Sequence, residues 1–330
     1  MYKFSENEII KNVSDVLKLK AEIESVVDGI CKEGYKNLFF VGIGGTYAAA
    51  IELQAFTCGH SSIDIYYENA ADLVCLGNKK LGKGSVLIVS SATGQTPELA
   101  EAIDYSHQLG AVVIGFIDDA NCAMAKQVDY LFSCAGGSYL KLMLPLARFM
   151  YNAGEMDDYE ELYENLNHLG PALVNVQKAA DEKAAAFAKE HCDDELLYVS
   201  GSGCLWGSAY CLAMCYMEEM MWMHTKSVSC SDFFHGTLEI IERDSNVLIL
   251  MGEDAARKQA ERMLSFVTQI CRNVYVFDTK DYELVGIDDK FRVILCPMVM
   301  AAVYSRIVLQ LEDAKKHPME IRRYYHRLKY

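Results

Sequence analysis

The sequence predicts an α/β protein made of two tandem, doubly wound parallel-sheet lobes related by duplication. Three observations lead there. Continuous apolar runs of about five residues alternate with longer segments of helical periodicity, the pattern of strands covered on both faces. Glycine-rich or hydroxyl-rich loops follow several of those runs and open helices. The same order of runs and helices then returns in the second half at a nearly constant shift.

Taken in order, residues 6–33 carry apolar side chains at helical spacing, and Asn37-Leu38-Phe39-Phe40-Val41 is a short buried strand. Gly42-Ile43-Gly44-Gly45-Thr46-Tyr47 and an alanine-rich helix follow it. Further strands are expected over 62–67, over Ser85-Val86-Leu87-Ile88-Val89 and over 111–116, with a helix from Pro97. Leu196 to Gly203 echoes Leu38 to Gly45 about 158 residues later, while Val247 to Leu250 and Val274 to Phe277 echo Val86 to Val89 and Val113 to Phe116 about 161 later. Three echoes in order at one shift indicate duplication. The 330 residues therefore divide into N-terminal helices (1–34), a first lobe (35–170) and a second lobe with a C-terminal tail (171–330), the boundary falling near Gly170-Pro171.

Composition narrows the function. A net charge of −15 argues against a nucleic-acid surface, which needs clustered Lys and Arg. An anionic small molecule remains compatible, because a helix start binds phosphate locally. Twelve cysteines are scattered without a CxxC pair, and the polar, acidic N-terminus is no secretion signal, so reduced thiols in the cytoplasm are expected. Cys211, Cys215 and His224 read as core and surface side chains rather than metal ligands. The longest apolar stretch, Val293 to Tyr304, contains Pro297 and falls short of the roughly 20 residues a bilayer span requires. No membrane partner is expected.

Ligands of open α/β sheets bind beyond the carboxyl ends of the strands. Two loops of the first lobe lie there. In Ser90-Ser91-Ala92-Thr93-Gly94-Gln95-Thr96-Pro97, Thr96 suits an N-cap and Pro97 the first helical position. The hydroxyls of Ser91, Thr93 and Thr96 thus gather with Gly94 at a helix start, whose free N–H groups and dipole favour an anion. A plain capped loop would show the same residues. The second loop, Gly44-Gly45-Thr46-Tyr47, offers close backbone approach and another hydroxyl. The duplicate supplies a control: Met251-Gly252-Glu253-Asp254 stands where the first lobe has Ser90 to Thr93, and two carboxylates there would repel phosphate. Phosphate is placed in the first lobe only.

Ser91-x-Thr93-Gly94-x-Thr96 resembles the Ser-x-Ser-Gly-x-Thr signature of sugar isomerase (SIS) domains, which are flavodoxin-like, and Gly44-Gly45-Thr46-Tyr47 is similar to their first phosphate loop. The resemblance covers nearly the whole chain as two tandem SIS domains. It implies that Thr46, Ser91, Thr93 and Thr96 contact the phosphate, with Gly45 and the Ala92 and Gln95 amides beside it.

In the second lobe, Glu218 and Glu219 sit on a mostly apolar helix running from about Trp206, and His235 lies in an aromatic loop before Gly236. A carboxylate in apolar surroundings suits proton transfer near neutrality. Being adjacent, the two glutamates point about 100° apart, so one of them is expected to face a cleft. Read on composition alone, Glu219 as a solvated helix residue and His235 as a structural histidine stay open.

The resemblance carries further. Glu219 and His235 match the Glu and the His of the isomerase half of glucosamine-6-phosphate synthase, where the Glu moves protons between C1 and C2 and the His opens the ring. Tyr216 replaces that enzyme's Lys, Thr237 its Pro, and its glutaminase domain and C-terminal Lys segment are missing. Met221-Trp222-Met223-His224, Phe234-His235-Gly236 and the ending from Ile321 to Tyr330 are instead similar to the fructoselysine-6-phosphate deglycase family. That family implies conversion of an N-(6-phosphofructosyl) amine and water to glucose 6-phosphate and the free amine, with no metal or other cofactor. It also implies a homodimer or higher homo-oligomer, and contacts from the tail residues Arg323, Tyr324 and Tyr325 to the active site. An aldose–ketose or amino-sugar phosphate isomerase and a non-catalytic sugar-phosphate sensor are the alternatives.

Overall fold

The structure, a computed structural model, describes residues 1–325 and 327–329. His326 and Tyr330 of the basic ending lie outside the described residues. The chain divides into two units, residues 7–170 and residues 1–6 with 171–330.

In the first unit α1 (Glu6–Leu17) and α2 (Lys20–Glu33) lead into β1 (Asn37–Gly42). Then come α3 (Gly45–His60), β2 (Ile65–Asn69), α4 (Ala70–Leu76), β3 (Ser85–Ser91), α5 (Pro97–Gln108), β4 (Val112–Ile117), β5 (Tyr130–Phe132), α6 (Ser138–Asn152) and α7 (Tyr159–Leu166). The five strands pair in parallel in the order β2-β1-β3-β4-β5. Every residue of β1 and β3 is buried. Phe39, Val41, Leu87, Val89, Leu99 and Ile103 share one core face, and each such side chain contributes about 1.5–3 kcal/mol by leaving water. The N-terminal helices are tied to this unit: Arg148 on α6 grips Asp28 on α2 with Nε and Nη2 at 2.7 and 2.6 Å. Because β1 leads outward to β2 and β3 lies on its other side, the loops after β1 and β3 flank the point where strand order reverses. Ligands of such sheets bind there.

The second unit repeats the plan. α8 (Leu169–His191) opens it at the boundary, followed by β6 (Leu197–Gly201), α9 (Cys204–Cys211), a π-helix (Leu212–Glu218), β7 (Thr225–Ser229), β8 (Asn246–Met251), α10 (Arg257–Val267), β9 (Asn273–Asp278) and α11 (Arg292–Lys315). Its parallel order is β7-β6-β8-β9. The duplication is visible in the backbone: Gly44 (φ 56°, ψ −127°) and Gly203 (φ 55°, ψ −128°) make the same left-handed turn into α3 and α9. One residue pair earlier, a Cβ on Gly42 or Gly201 would lie 2.5 Å or 2.3 Å from the backbone of the following helix. Only glycine permits that approach.

The 12-residue apolar stretch understates α11. The helical run Asp289–Lys315 is long and apolar enough to cross a membrane, with mean hydropathy 1.8 in its most apolar window. Pro297 lies inside the helix instead of ending it. Two thirds of that window is buried within the protein. The fully buried Arg306 pairs with Asp181 at 2.6 Å and donates to the Tyr2 carbonyl at 3.0 Å, while Lys3 reaches Glu312 at 2.6 Å. The helix is thus the core of its unit and pins residues 2 and 3 to it.

Candidate functional site

In the first unit the loop after β3 builds itself from its own hydroxyls. Ser91 Oγ accepts from the Gly94 N–H at 3.0 Å and Thr93 Oγ1 from the Gln95 N–H at 3.2 Å. Ser91 is buried, whereas Ala92, Thr93 and Gln95 are exposed at the crest. Gly94 has φ +61°, and a Cβ there would stand 2.2 Å from Cys122 Sγ. The Gln95 amide, expected at the phosphate, is turned to Thr93 within the loop. Thr96 begins α5, yet its hydroxyl makes no capping hydrogen bond, contrary to the N-cap expected of it. Its position is that of a cap, and α5 starts with Pro97, whose missing N–H leaves less to satisfy. In the neighbouring loop Thr46 Oγ1 donates to the Ile43 carbonyl and accepts from the Ile43 N–H, both at 3.0 Å. It braces the turn in which Gly45 opens α3.

The matching position of the second unit is filled. Asp254 Oδ2 accepts from the Cys204 N–H at 2.6 Å, at the start of α9, and Oδ1 from the Ala256 N–H at 2.7 Å. A side-chain carboxylate therefore occupies the helix start that faces solvent-borne anions in such folds. Glu253 is held by the Arg292 fork at 2.8 and 2.7 Å. The sequence suggested repulsion; occupancy by the protein's own anion is what the fold contains.

The second unit carries a cavity of about 610 Å³ at the end of the π-helix. Here the backbone bonds skip five residues: the Glu219 N–H donates to the Met214 carbonyl at 3.1 Å and Met221 to Tyr216 at 3.1 Å. Such widened turns recur at functional sites. Trp222 closes the turn that follows the helix with φ +54°, a conformation rare for a bulky residue. Glu218 and Glu219 both line the cavity, which corrects the expectation that only one could. The reason is that the cavity wraps the last, widened turn, so neighbouring side chains reach it from either side.

Glu219 Oε1 accepts from Arg322 Nε at 2.9 Å. Its surroundings are thus an ion pair with the tail, not the apolar face expected from the helix. Glu218 accepts from the Thr225 hydroxyl. Arg323, Tyr324 and Tyr325 line the same cavity, and the Arg323 guanidinium lies 4.0 Å over the Trp222 ring. His317 packs against that indole at 4.2 Å between centroids. Sequence reasoning missed the Arg322–Glu219 pair. Its signal was a basic cluster at residues 322–329 in an acidic chain, without an indication of which carboxylate it meets.

His235 ends a short 3₁₀ turn (Asp232–His235) and is exposed. Ser229 Oγ pins that turn by donating to Asp232 at 2.9 Å. His235 is not among the residues lining the Glu219 cavity. All twelve cysteines are free thiols. The Cys296 thiol hydrogen-bonded beside it, together with burial, pushes Cys204 far up, so it stays protonated and is no nucleophile.

No family model matches the chain. It is 26% identical over 322 residues to the fructosamine deglycase FrlB of Bacillus subtilis (strain 168), covering 95% of this chain and 98% of the relative. It is 23% identical over 312 residues to the fructoselysine 6-phosphate deglycase of Escherichia coli (strain K12), covering 92% and 89%. Among solved structures, a Bacillus subtilis protein assigned as a phosphosugar isomerase superposes with a TM-score of 0.91 at 25% identity, covering 96% of this chain and 99% of that one. The C-terminal domain of the glucosamine-fructose-6-phosphate aminotransferase of Francisella tularensis superposes with a TM-score of 0.81 at 14% identity and 95% coverage of both, which shows a shared fold.

Proposed function

We propose that the chain is a fructosamine-6-phosphate deglycase, converting an N-(6-phosphofructosyl) amine and water to glucose 6-phosphate and the free amine. The observation that carries this reading is the Glu219 carboxylate at the cavity wall, held by Arg322, in a chain similar over nearly its whole length to deglycases.

The loops at Gly45–Thr46 and Ser91–Thr96 hold the phosphate, with Ser91, Ala92, Thr93, Gln95 and Thr96 around it. Binding energy from that remote group orients the reacting carbons. His235 assists opening of the sugar ring. Glu219 takes a proton from C1 of the open ketoamine, giving an enaminol, and returns one to C2. The product is the C1 imine of the aldose. Water adds to that imine and the C–N bond breaks, releasing amine and aldehyde. The C2 carbonyl oxygen takes up the electron pair, and a proton, when C1 is deprotonated, and the lone pair of the amine nitrogen then drives protonation at C2.

The exposed turn of His235, apart from the Glu219 cavity, supports a homodimer or higher homo-oligomer in which His235 serves the partner's site. The twelve free thiols support a reducing, cytoplasmic setting.

Glucose 6-phosphate release from phosphorylated Amadori compounds, read through a coupled dehydrogenase, tests the reaction. Glu219→Gln should lower turnover by about 10²–10⁴-fold while binding persists. Unchanged turnover removes Glu219 from the mechanism. Interconversion of fructose 6-phosphate without amine release would favour an isomerase instead.

A further inference from the structure

Beside the loop from Ser90 to Thr96 lies a charged pair that no step of the reaction uses. Lys141, exposed by only 1%, sits in the buried run of α6 from Tyr139 to Ala147. Its ammonium reaches Asp118 Oδ1 at 2.5 Å. Asp118 follows directly on β4, and its N–H donates to the Ser91 carbonyl at 3.2 Å. A carboxylate is thereby fixed one hydrogen bond away from the residue whose hydroxyl holds the turn at Gly94. The start of α6 meets the same strand ends a second time, where Ser90 Oγ donates to Ser138 Oγ at 3.2 Å. The next carboxylate, Asp119, turns to the Asn121 N–H of its own loop.

A buried Lys–Asp pair adds little net stability, since an apolar side chain of similar volume would fill the space without desolvating a charge. Its effect lies in the field. An unpaired Asp118 would set a negative charge beside a loop of N–H donors and hydroxyls, and would repel an anion there. The second unit meets the same need differently. β9 also ends on a carboxylate, Asp278, but its cation is Arg257, the first residue of α10, whose Nη1 and Nη2 donate at 2.8 and 2.5 Å. There the guanidinium stands at the helix start itself. In the first unit α5 starts with Pro97 and the cation comes from α6, so the helix start is not taken up by it.

We propose that Lys141 is the buried countercharge of the anion loop, a positioning residue that acts through Asp118 and cancels a carboxylate that would repel the substrate's phosphate. The proposal rests on the reading that places phosphate at Ser91 to Thr96. It adds what lets that loop accept an anion in a chain of net charge −15.

Calorimetric titration of glucose 6-phosphate onto the full chain tests it, with K141M, D118N and the double variant K141M/D118N beside the wild type. K141M leaves Asp118, whose side chain is 23% exposed and can turn to water, so this variant should fold. It should bind about tenfold more weakly, and the deficit should shrink as salt rises to about 1 M, where charges are screened within about 3 Å. D118N should bind at least as tightly as wild type, although it leaves an ammonium buried without its carboxylate and lowers the unfolding midpoint. The double variant should return to within about threefold of wild type. A purely structural pair predicts otherwise: affinity falls in both single variants along with stability, and the double variant recovers nothing. That pattern, or wild-type affinity in K141M, overturns the proposal. Where D118N does not fold, the double variant is compared with K141M alone: recovery supports the countercharge and equal weakness refutes it. In turnover the K141M loss should fall on KM, and a loss in kcat alone counts against the proposal. A wild-type protein that does not bind glucose 6-phosphate ends the phosphate reading itself, and the countercharge with it.

Discussion

Replacing Gly94 by alanine probes the proposed anion loop where it is tightest. Gly94 has φ +61°, so any side chain costs about 1–2 kcal/mol in backbone strain alone. The added methyl would stand 2.2 Å from Cys122 Sγ and 3.3 Å from Ile117 Cγ2. No carbon and sulfur sit that close, so Cys122 or the loop must move. Cys122 has little freedom, because its Sγ accepts from the Ala125 N–H at 3.3 Å. Overpacking of this kind costs about 1–3 kcal/mol, which brings the total to about 2–5 kcal/mol. Where the loop yields, Ser91 and Thr93 lose their bonds to the Gly94 and Gln95 amides. Glucose 6-phosphate affinity, measured by calorimetry, should then fall at least about tenfold. Adding Cys122→Ala removes the sulfur but leaves the strain and a contact at 3.1 Å to Cys122 Cβ. The double variant should recover part of the loss, not all of it. Wild-type affinity in Gly94→Ala with a lowered melting temperature would show a structural turn that takes no part in anion binding.

Other outcomes follow from the same geometry. Asp254→Ala empties the start of α9 and should destabilise the second unit by about 1–3 kcal/mol in urea unfolding. Millimolar phosphate should restore part of that stability to the second unit of the variant and leave the second unit's transition in the wild-type protein unmoved. Arg322→Ala frees Glu219 and should reduce kcat of the deglycase reaction while the protein stays folded; an unchanged kcat would make the pair structural only. The Arg148 guanidinium bonded to Asp28 holds its carboxyl below the usual range. A lowered folded-state value stabilises above the unfolded one, so the stability gap between wild type and Asp28→Asn should be full at pH 6 and vanish as the pH falls below about 4.

Much of the fold was readable because its signals are local. Runs such as Leu38 to Val41 and Val86 to Val89 are buried along their full length, so they stay apolar at every position. The glycines at 42, 44, 201 and 203 mark turns that only glycine makes, and their recurrence exposed the duplication. The loop from Ser90 to Thr96 was legible for the same reason, as a hydroxyl-rich segment leading into a helix. What escaped reading depends on distant partners. Arg322 meets Glu219 across about a hundred residues of chain, a contact no local pattern encodes. The π-helix at Leu212–Glu218 has the composition of an ordinary helix, and only its bonding reveals it. β5, three residues at a sheet edge, is too short to leave a periodicity.

The tether between α11 and residues 2 and 3 has a consequence for biosynthesis. Residues 7–170 hold all of one sheet and its covering helices, so that unit has every piece it needs once its own stretch has left the ribosome. The other unit joins residues 1–6 to residues 171–330, and its helix α11 is made after the whole of residues 7–170. Residues 2 and 3 are made about 300 residues before Arg306 and Glu312, the partners that receive them. A slow or stalled ribosome would therefore expose that segment, and a bulky fusion ahead of Met1 should delay closure of this unit while sparing its neighbour.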